Sequence, residues 1–162
     1  MKVIIHDLNG QYGDTLTSRG DCVIAADGKY APCQGCFSCW TKHPAECFMK
    51  DQLQQVCRII GQADELIIVT KNLYGGYSAD IKNILDRSIG TSTPLSTYRG
   101  RQMHHTLRYG KHPLWKVIVY GDITEAEKET FCFMAQRNAI NDGFEHAEVI
   151  FIENLSELEE LL

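Results

Sequence analysis

Three apolar runs in the chain are continuous instead of alternating, and this pattern constrains the fold most strongly. They begin at Val3, Glu65 and Trp115 and read VII, ELIIVT and WKVIVY. Continuous β-branched runs are typical of parallel strands that helices cover on both faces. Two weaker runs, CVIAA from Cys22 and AEVIFI from Ala147, bring the number of predicted strands to five.

Helical patterns lie between the predicted strands. Residues 51–63 and 78–89 repeat apolar side chains at helical spacing, and the tail LSELEELL does so over a shorter length. Residues 124–141 open with Thr124 and Glu127, which is the pattern of a capping box. Strands that alternate with helices predict a three-layer α/β sandwich around a parallel sheet.

One connection in this pattern is unusually short. Only residues 8–21 separate the first two strands, and they are rich in turn-forming residues, so we expect a first crossover helix that is short or missing. The 162 residues, of which 44% are hydrophobic, are enough for one domain with its own core. We therefore expect a single domain over 1–162, with a cysteine segment at 33–50 and a long basic loop at 91–114.

Charge and hydropathy exclude some classes of function. The net charge of −5 argues against nucleic-acid binding, because phosphate contacts need a basic face. No apolar run approaches membrane-spanning length, and the start MKVIIHDLNG lacks a secretory apolar region, so we expect a cytoplasmic protein without a membrane partner. The acid-free stretch at 91–114 is an exception, since it carries Arg99, Arg101, Arg108 and Lys111.

Four of the seven cysteines lie within fifteen residues, in the segment CQGCFSCWTKHPAEC. In a reducing compartment, clustered cysteines serve metal binding or catalysis more often than disulfides. Three cysteines at three-residue intervals and a fourth further on suit an iron–sulfur cubane, whereas zinc sites usually have a longer spacer. Zinc, a disulfide and free thiols remain alternatives. The four candidates are Cys33, Cys36, Cys39 and Cys47, and we expect Cys22, Cys57 and Cys132 to be small core residues.

Two segments carry a family resemblance. CQGCFSCWTKHPAECFMKD resembles the cysteine segment of iron–sulfur flavoproteins and their flavodoxin-like relatives, within the NADPH-dependent FMN reductase superfamily. TKNLYGGYSADIKNILDRSIG resembles the loop and helix after the third strand, which in relatives lie against the flavin ring. The resemblance implies a doubly wound parallel sheet of five strands in the order 2-1-3-4-5. It further implies that the protein forms homo-oligomers. It also implies electron transfer between NAD(P)H, FMN and a [4Fe-4S] cluster, with small-molecule donors and acceptors.

The resemblance also implies where each cofactor binds. In open α/β sheets, ligands lie at the carboxyl ends of the strands, glycines allow the backbone to approach a flat ring, and a tyrosine can stack on it. The cluster would be held by the four cysteines of the segment. The FMN site implied by the loops after the first, third and fourth strands comprises Asn9, Gly10, Gly13, Thr15, Asn72, Tyr74, Gly75, Gly76, Ser78 and Gly121.

The loop after the first strand departs from the family pattern. Relatives hold the FMN phosphate with a loop that ends in Gly-Asn-Thr, whereas here Asp14 stands in place of the asparagine and would repel a phosphate. We therefore expect Arg99, Arg101 or Arg108 to contact the phosphate of FMN or of the nicotinamide, from the same subunit or a neighbouring one. No acid–base or nucleophile constellation is visible, so no residue is assigned to catalysis. The alternative is a binding or regulatory module that has lost flavin, with its cysteine segment holding zinc or no metal.

Overall fold

The computed structural model describes all 162 residues and contains a five-stranded parallel sheet of order β2-β1-β3-β6-β7. Because β6 and β7 are the fourth and fifth strands of this sheet, the predicted flavodoxin-like order is confirmed. The strands are β1 Lys2–His6, β2 Cys22–Ala25, β3 Glu65–Lys71, β6 His112–Tyr120 and β7 Phe144–Ile152.

Two apolar cores cover the two faces of the sheet. In register, Ile5 pairs with Ile68 and Ile68 with Val117, and these residues belong to the larger core. Their neighbours along the strands, such as Ile4 and Ile67, point the other way into the smaller core. Burial on both faces explains why the strand sequences are continuously apolar.

The helices agree with the predicted pattern except in length. They are α1 Gln11–Leu16, α2 Val56–Gly61, α3 Ala79–Arg87, α4 Glu125–Asp142 and α5 Leu158–Leu161. The first crossover helix is short, as predicted, and the capping box of Thr124 and Glu127 is present at the start of α4. Helix α2 is shorter than predicted, since residues 51–55 form turns in which the Asp51 carboxylate accepts the Leu53 N–H.

Residues 91–114 fold differently from the predicted loop. They contain an antiparallel hairpin of β4 Ser92–Arg99 and β5 Gln102–Leu107, with Gly100 at positive φ in its turn. The hairpin connects the end of α3 to the start of β6, so it lies at the edge of the sheet where the strands begin. We call this the amino edge, and the opposite edge, with the loops after β1, β3 and β6, the carboxyl edge.

None of the helices is both long enough and apolar enough to cross a membrane.

Candidate functional site

Asp7 ties together the strand ends at the carboxyl edge. Its carboxylate accepts the Lys71 N–H at 3.0 Å, the Tyr120 hydroxyl at 3.0 Å and the Thr70 hydroxyl at 3.3 Å. Burial, together with the charge of Asp7, raises the pKa of Tyr120 and keeps that phenol protonated as a donor. The ends of β1, β3 and β6 are thereby held as one platform.

The loop after β3 rests on this platform and is fixed by Asn72. The Asn72 side chain donates to the Asp122 carbonyl at 2.8 Å and accepts the Gly75 N–H at 3.0 Å, while its backbone N–H donates to the Tyr120 carbonyl. Tyr74 has a φ of 52° and is 88% exposed. A tyrosine held rigidly in the left-handed region with its ring in solvent is typical of a binding surface, because such strain persists where function needs it.

The two glycines of this loop have different surroundings. A Cβ on Gly75 would lie 3.1 Å from the Glu127 carbonyl oxygen of α4, so this glycine serves close packing and a positive φ. A Cβ on Gly76 would meet only ordinary contacts, at 3.5 Å or more. A bulky residue at Gly75 would therefore disturb the packing of the loop on α4 before it could obstruct a ring.

Ser78 lies immediately before α3 and supplies a free polar atom at the same edge. Its N–H donates to the Thr70 hydroxyl at 3.0 Å, whereas its own hydroxyl oxygen is buried without a partner. A buried unpaired hydroxyl is costly, so this position is under local strain.

The loop after β1 places the other predicted flavin contacts at this edge. Asn9 and Gly10 are exposed, and Gly10 has a φ of 60° with open space around it. Gly13 covers the ring of buried His6, and the Thr15 hydroxyl already donates to the Gln11 carbonyl at 3.0 Å. Across the edge, Gly121 lies against the side chain of Lys71. The ten predicted flavin residues therefore share one edge.

Two carboxylates occupy the part of this edge where relatives would hold phosphate. Asp14 is exposed in the first turn of α1, and Asp7 lies at the start of the same loop. The sequence identified Asp14 but missed Asp7, because an acidic residue after a strand carries no specific signal until its partners on β3 and β6 are known. The loop is thus unfavourable for an anion.

The arginines of the hairpin do not reach this edge within one copy of the chain. Arg99 donates to the carbonyls of Ile140 and His105, at 2.7 and 2.9 Å, and Arg108 donates to that of Gly90 at 3.1 Å. Within one copy, the stretch that carries Arg99, Arg101 and Arg108 folds as a hairpin at the amino edge, and their contact with a phosphate of FMN or of the nicotinamide stays a prediction. A contact with the flavin of a neighbouring copy remains a prediction.

The four clustered cysteines line one small cavity of about 20 Å³. Cys33 and Cys36 are exposed, Cys47 is half-buried and Cys39 is buried. No three His, Cys, Asp or Glu side chains converge closely enough here or elsewhere to hold a metal ion. The structure thus brings the predicted ligands to one place without arranging them as a closed site.

Arg87, at the end of α3, lines the same cavity. Its side chain is fully buried, forms an ion pair with Asp51 and donates to the Ala31 carbonyl at 3.1 Å through the same nitrogen, Nη1. Its Nε and Nη2 atoms are buried without a nitrogen or oxygen partner, and Cys47 lies within hydrogen-bonding reach. The sequence contained this arginine only as part of a family motif and gave no sign of its position.

Cys57 is a fifth thiol beside the segment. It is buried in the core, as predicted, whereas Cys22 and Cys132 are only half-buried. Its Sγ donates to the Arg87 carbonyl at 3.2 Å. The neighbouring Cys39 thiol, together with burial, raises the pKa of Cys57, whereas Cys57 lowers the pKa of Cys39. The helical spacing of α2 predicted its burial but not this contact.

The fold and both groups of residues agree with a known family. A family model described as NADPH-dependent FMN reductase matches residues 23–105, half of the chain, and the chain belongs to this family. The match includes the cysteine segment, the loop after β3 and most of the hairpin.

Individual relatives are more distant. An iron–sulfur flavoprotein of Methanocaldococcus jannaschii is 33% identical over 66 residues, which are 41% of this chain and a third of that protein. The Trp repressor binding protein of Bacillus subtilis superposes with a TM-score of 0.57 at 15% identity, covering 100% of this chain and 99% of its own. An NAD(P)H:quinone oxidoreductase of Methanothermobacter marburgensis gives 0.56 at 12% identity, covering 94% and 86%. At these identities the structural likeness establishes the fold.

Proposed function

We propose that the protein is an FMN-dependent NAD(P)H oxidoreductase whose flavin ring lies at the carboxyl edge. The observation that carries this proposal is the loop after β3, in which Asn72 fixes an exposed, left-handed Tyr74. Family membership supports the same cofactor and co-substrate.

The residues of this edge fit the ring of a flavin. Tyr74 offers a large flat surface at this edge. Bound FMN supplies hydride acceptance from a nicotinamide and single-electron transfer onward. The side chains named here hold and orient the ring, and no acid or base among them is required.

The phosphate of FMN fits this edge less well than the ring does, because Asp7 and Asp14 lie in the loop where relatives bind it. Within one copy neither carboxylate forms an ion pair, so we expect riboflavin to bind at least as tightly as FMN. A neighbouring copy that brought Arg101, whose guanidinium has no partner in the chain, would reverse that order. The same carboxylates favour the second candidate, a binding module without flavin.

We also propose that the four clustered cysteines, which do not form a closed site in this structure, bind an anionic metal–thiolate centre, with a [4Fe-4S] cluster as the first candidate and zinc as the second. Buried Arg87 supports this, since two of its N–H-bearing nitrogens have no nitrogen or oxygen partner and the residue lines the same cavity as the thiols. Cys33, Cys36, Cys39 and Cys47 would be the ligands. The related M. jannaschii protein is named an iron–sulfur flavoprotein.

A flavin titration tests the first proposal. Purified protein stripped of small molecules is titrated with riboflavin and with FMN while flavin fluorescence is followed, and NADPH oxidation is measured in the same samples. Saturable binding with one flavin per chain supports an oxidoreductase. No binding of either flavin would leave the binding module as the better account.

A further inference from the structure

A second cavity, of about 490 Å³, lies at the amino edge. It is enclosed by the hairpin, the ends of α3 and α4 and the cysteine segment, and its volume is within the range of small-molecule sites. The nine residues of α3 separate it from the loop that carries Tyr74, a length of about 13 Å at 1.5 Å per residue. This cavity is therefore distinct from the proposed flavin site at the carboxyl edge.

One wall of the cavity is aromatic and fixed in place. The Trp40 indole N–H donates to the Ile89 carbonyl at 2.7 Å, which sets the orientation of the ring. The Trp40 ring centroid lies 5.0 Å from that of Phe37 and 4.7 Å from that of His105. These contacts join the cysteine segment to the hairpin and present a preorganised surface to a flat ligand.

Another part of the cavity lining is polar, and some of its hydrogen-bonding atoms already have partners in the protein. One oxygen of Asp142 accepts the Thr91 hydroxyl at 2.8 Å, and its other oxygen has no donor in the protein. The His104 ring is held by the Asn141 side chain at 3.0 Å. A half-buried carboxylate oxygen without a donor favours a ligand that brings an N–H or O–H group.

The charges around the cavity select against anions. No lysine or arginine is among its lining residues, and Asp142 is the carboxylate there. The guanidiniums of Arg99 and Arg108 are bound to backbone carbonyls and do not line the cavity. A phosphate or carboxylate in the cavity would therefore meet the Asp142 carboxylate with no guanidinium or ammonium group in direct contact.

We propose that this cavity binds an uncharged planar aromatic molecule, with its ring against Trp40 and a donor group at the free oxygen of Asp142. Phe37 and Ile89 line both this cavity and the cysteine cavity, so the ligand would lie next to the cysteine segment. Binding here does not depend on flavin at the other edge.

The test uses 2-naphthol and 2-naphthoate, which share a ring but differ in offering a neutral donor or an anion. Calorimetry on the full chain at neutral pH compares wild type with Ser96→Trp, which fills the cavity from β4. Leu95→Trp is the matched control, because Leu95 is the exposed neighbour of Ser96 and is not a lining residue. Asp142→Asn removes the charge and keeps the shape.

We expect wild type and Leu95→Trp to bind 2-naphthol at least tenfold more tightly than Ser96→Trp does. We also expect 2-naphthoate to bind at least tenfold more weakly than 2-naphthol to wild type, with a smaller difference in Asp142→Asn. No measurable binding of 2-naphthol, equal affinity in both tryptophan variants, or tighter binding of 2-naphthoate would each overturn the proposal. None of these results depends on whether the protein binds flavin.

Discussion

Replacing Arg87 with methionine should destabilise the protein and empty the cysteine cavity of metal. Methionine fills much of the same volume but loses the ion pair with Asp51 and the hydrogen bond to the Ala31 carbonyl. Breaking a buried ion pair by removing one partner costs about 3–5 kcal/mol. Here the Asp51 carboxylate is 22% exposed and keeps the Ala31 and Leu53 N–H groups as donors, so we expect a loss of about 2–3 kcal/mol.

This loss should lower the melting temperature by about 4–12 °C for a domain of this size. It should also depend on pH. Burial opposes ionisation of Asp51, but the hydrogen bonds from Arg87 and from two backbone N–H groups outweigh it and hold its pKa below the usual value. Stability from this pair is therefore fully present above about pH 4 and is lost as the pH falls through the folded-state pKa.

Urea denaturation at neutral and acidic pH measures the loss of stability and its dependence on pH. Metal analysis of protein made without oxygen measures the loss of metal. Arg58→Met is the matched control, since the Arg58–Glu46 pair is at the surface, spans 3.4 Å and should contribute less than about 1 kcal/mol. Arg87→Lys retains the positive charge but lacks the planar guanidinium, so its loss of stability should lie between those of the wild type and Arg87→Met. If Arg87→Met unfolds at the same urea concentration as Arg58→Met, or keeps the wild-type metal content, the reasoning about Arg87 fails.

Three further predictions concern the two sites. Tyr74→Ala should weaken flavin binding by about 1 kcal/mol and leave the melting temperature unchanged, because the ring is 88% exposed; Tyr98→Ala, which is 70% exposed on the hairpin, should change neither. Asp14→Asn should raise the affinity for FMN in a fluorescence titration but not that for riboflavin, and an equal change for both ligands would refute a phosphate at this loop. Serine at Cys33, Cys36, Cys39 or Cys47 should each reduce iron content sharply by elemental analysis, whereas Cys132→Ser should not; equal iron in all variants would exclude this cluster.

The sheet could be predicted from the sequence, and the candidate flavin contacts could be assigned to the loops at its carboxyl edge, because the signals are local. Continuous β-branched runs mark strands buried on both faces, as at Val3 to Ile5 and Leu66 to Val69, and the segment around Tyr74 carries a family pattern in contiguous residues. The short first crossover was visible for the same reason, since it follows from the few residues between two runs.

The amino edge could not be predicted because its contacts join residues far apart in the chain. Arg87 meets Asp51 across 36 positions, and Trp40 meets Ile89 across 49. The hairpin was missed because a stretch of mixed polar residues around Arg99 has no clear alternation, and its strands are fixed by packing on the ends of α3 and α4. Arg99 and Arg108, which the sequence suggested as anion contacts, are consequently bound to backbone carbonyl groups.

The absorbance spectrum of the protein purified without oxygen, with flavin, iron, sulfide and zinc measured in the same sample, tests the central claim most directly. An FMN-dependent oxidoreductase with a cysteine-bound cluster predicts flavin bands with a broad iron–sulfur absorbance, and iron and sulfide in equal amounts near four per chain. A colourless protein that contains no flavin or iron, with or without one zinc per chain, would contradict it.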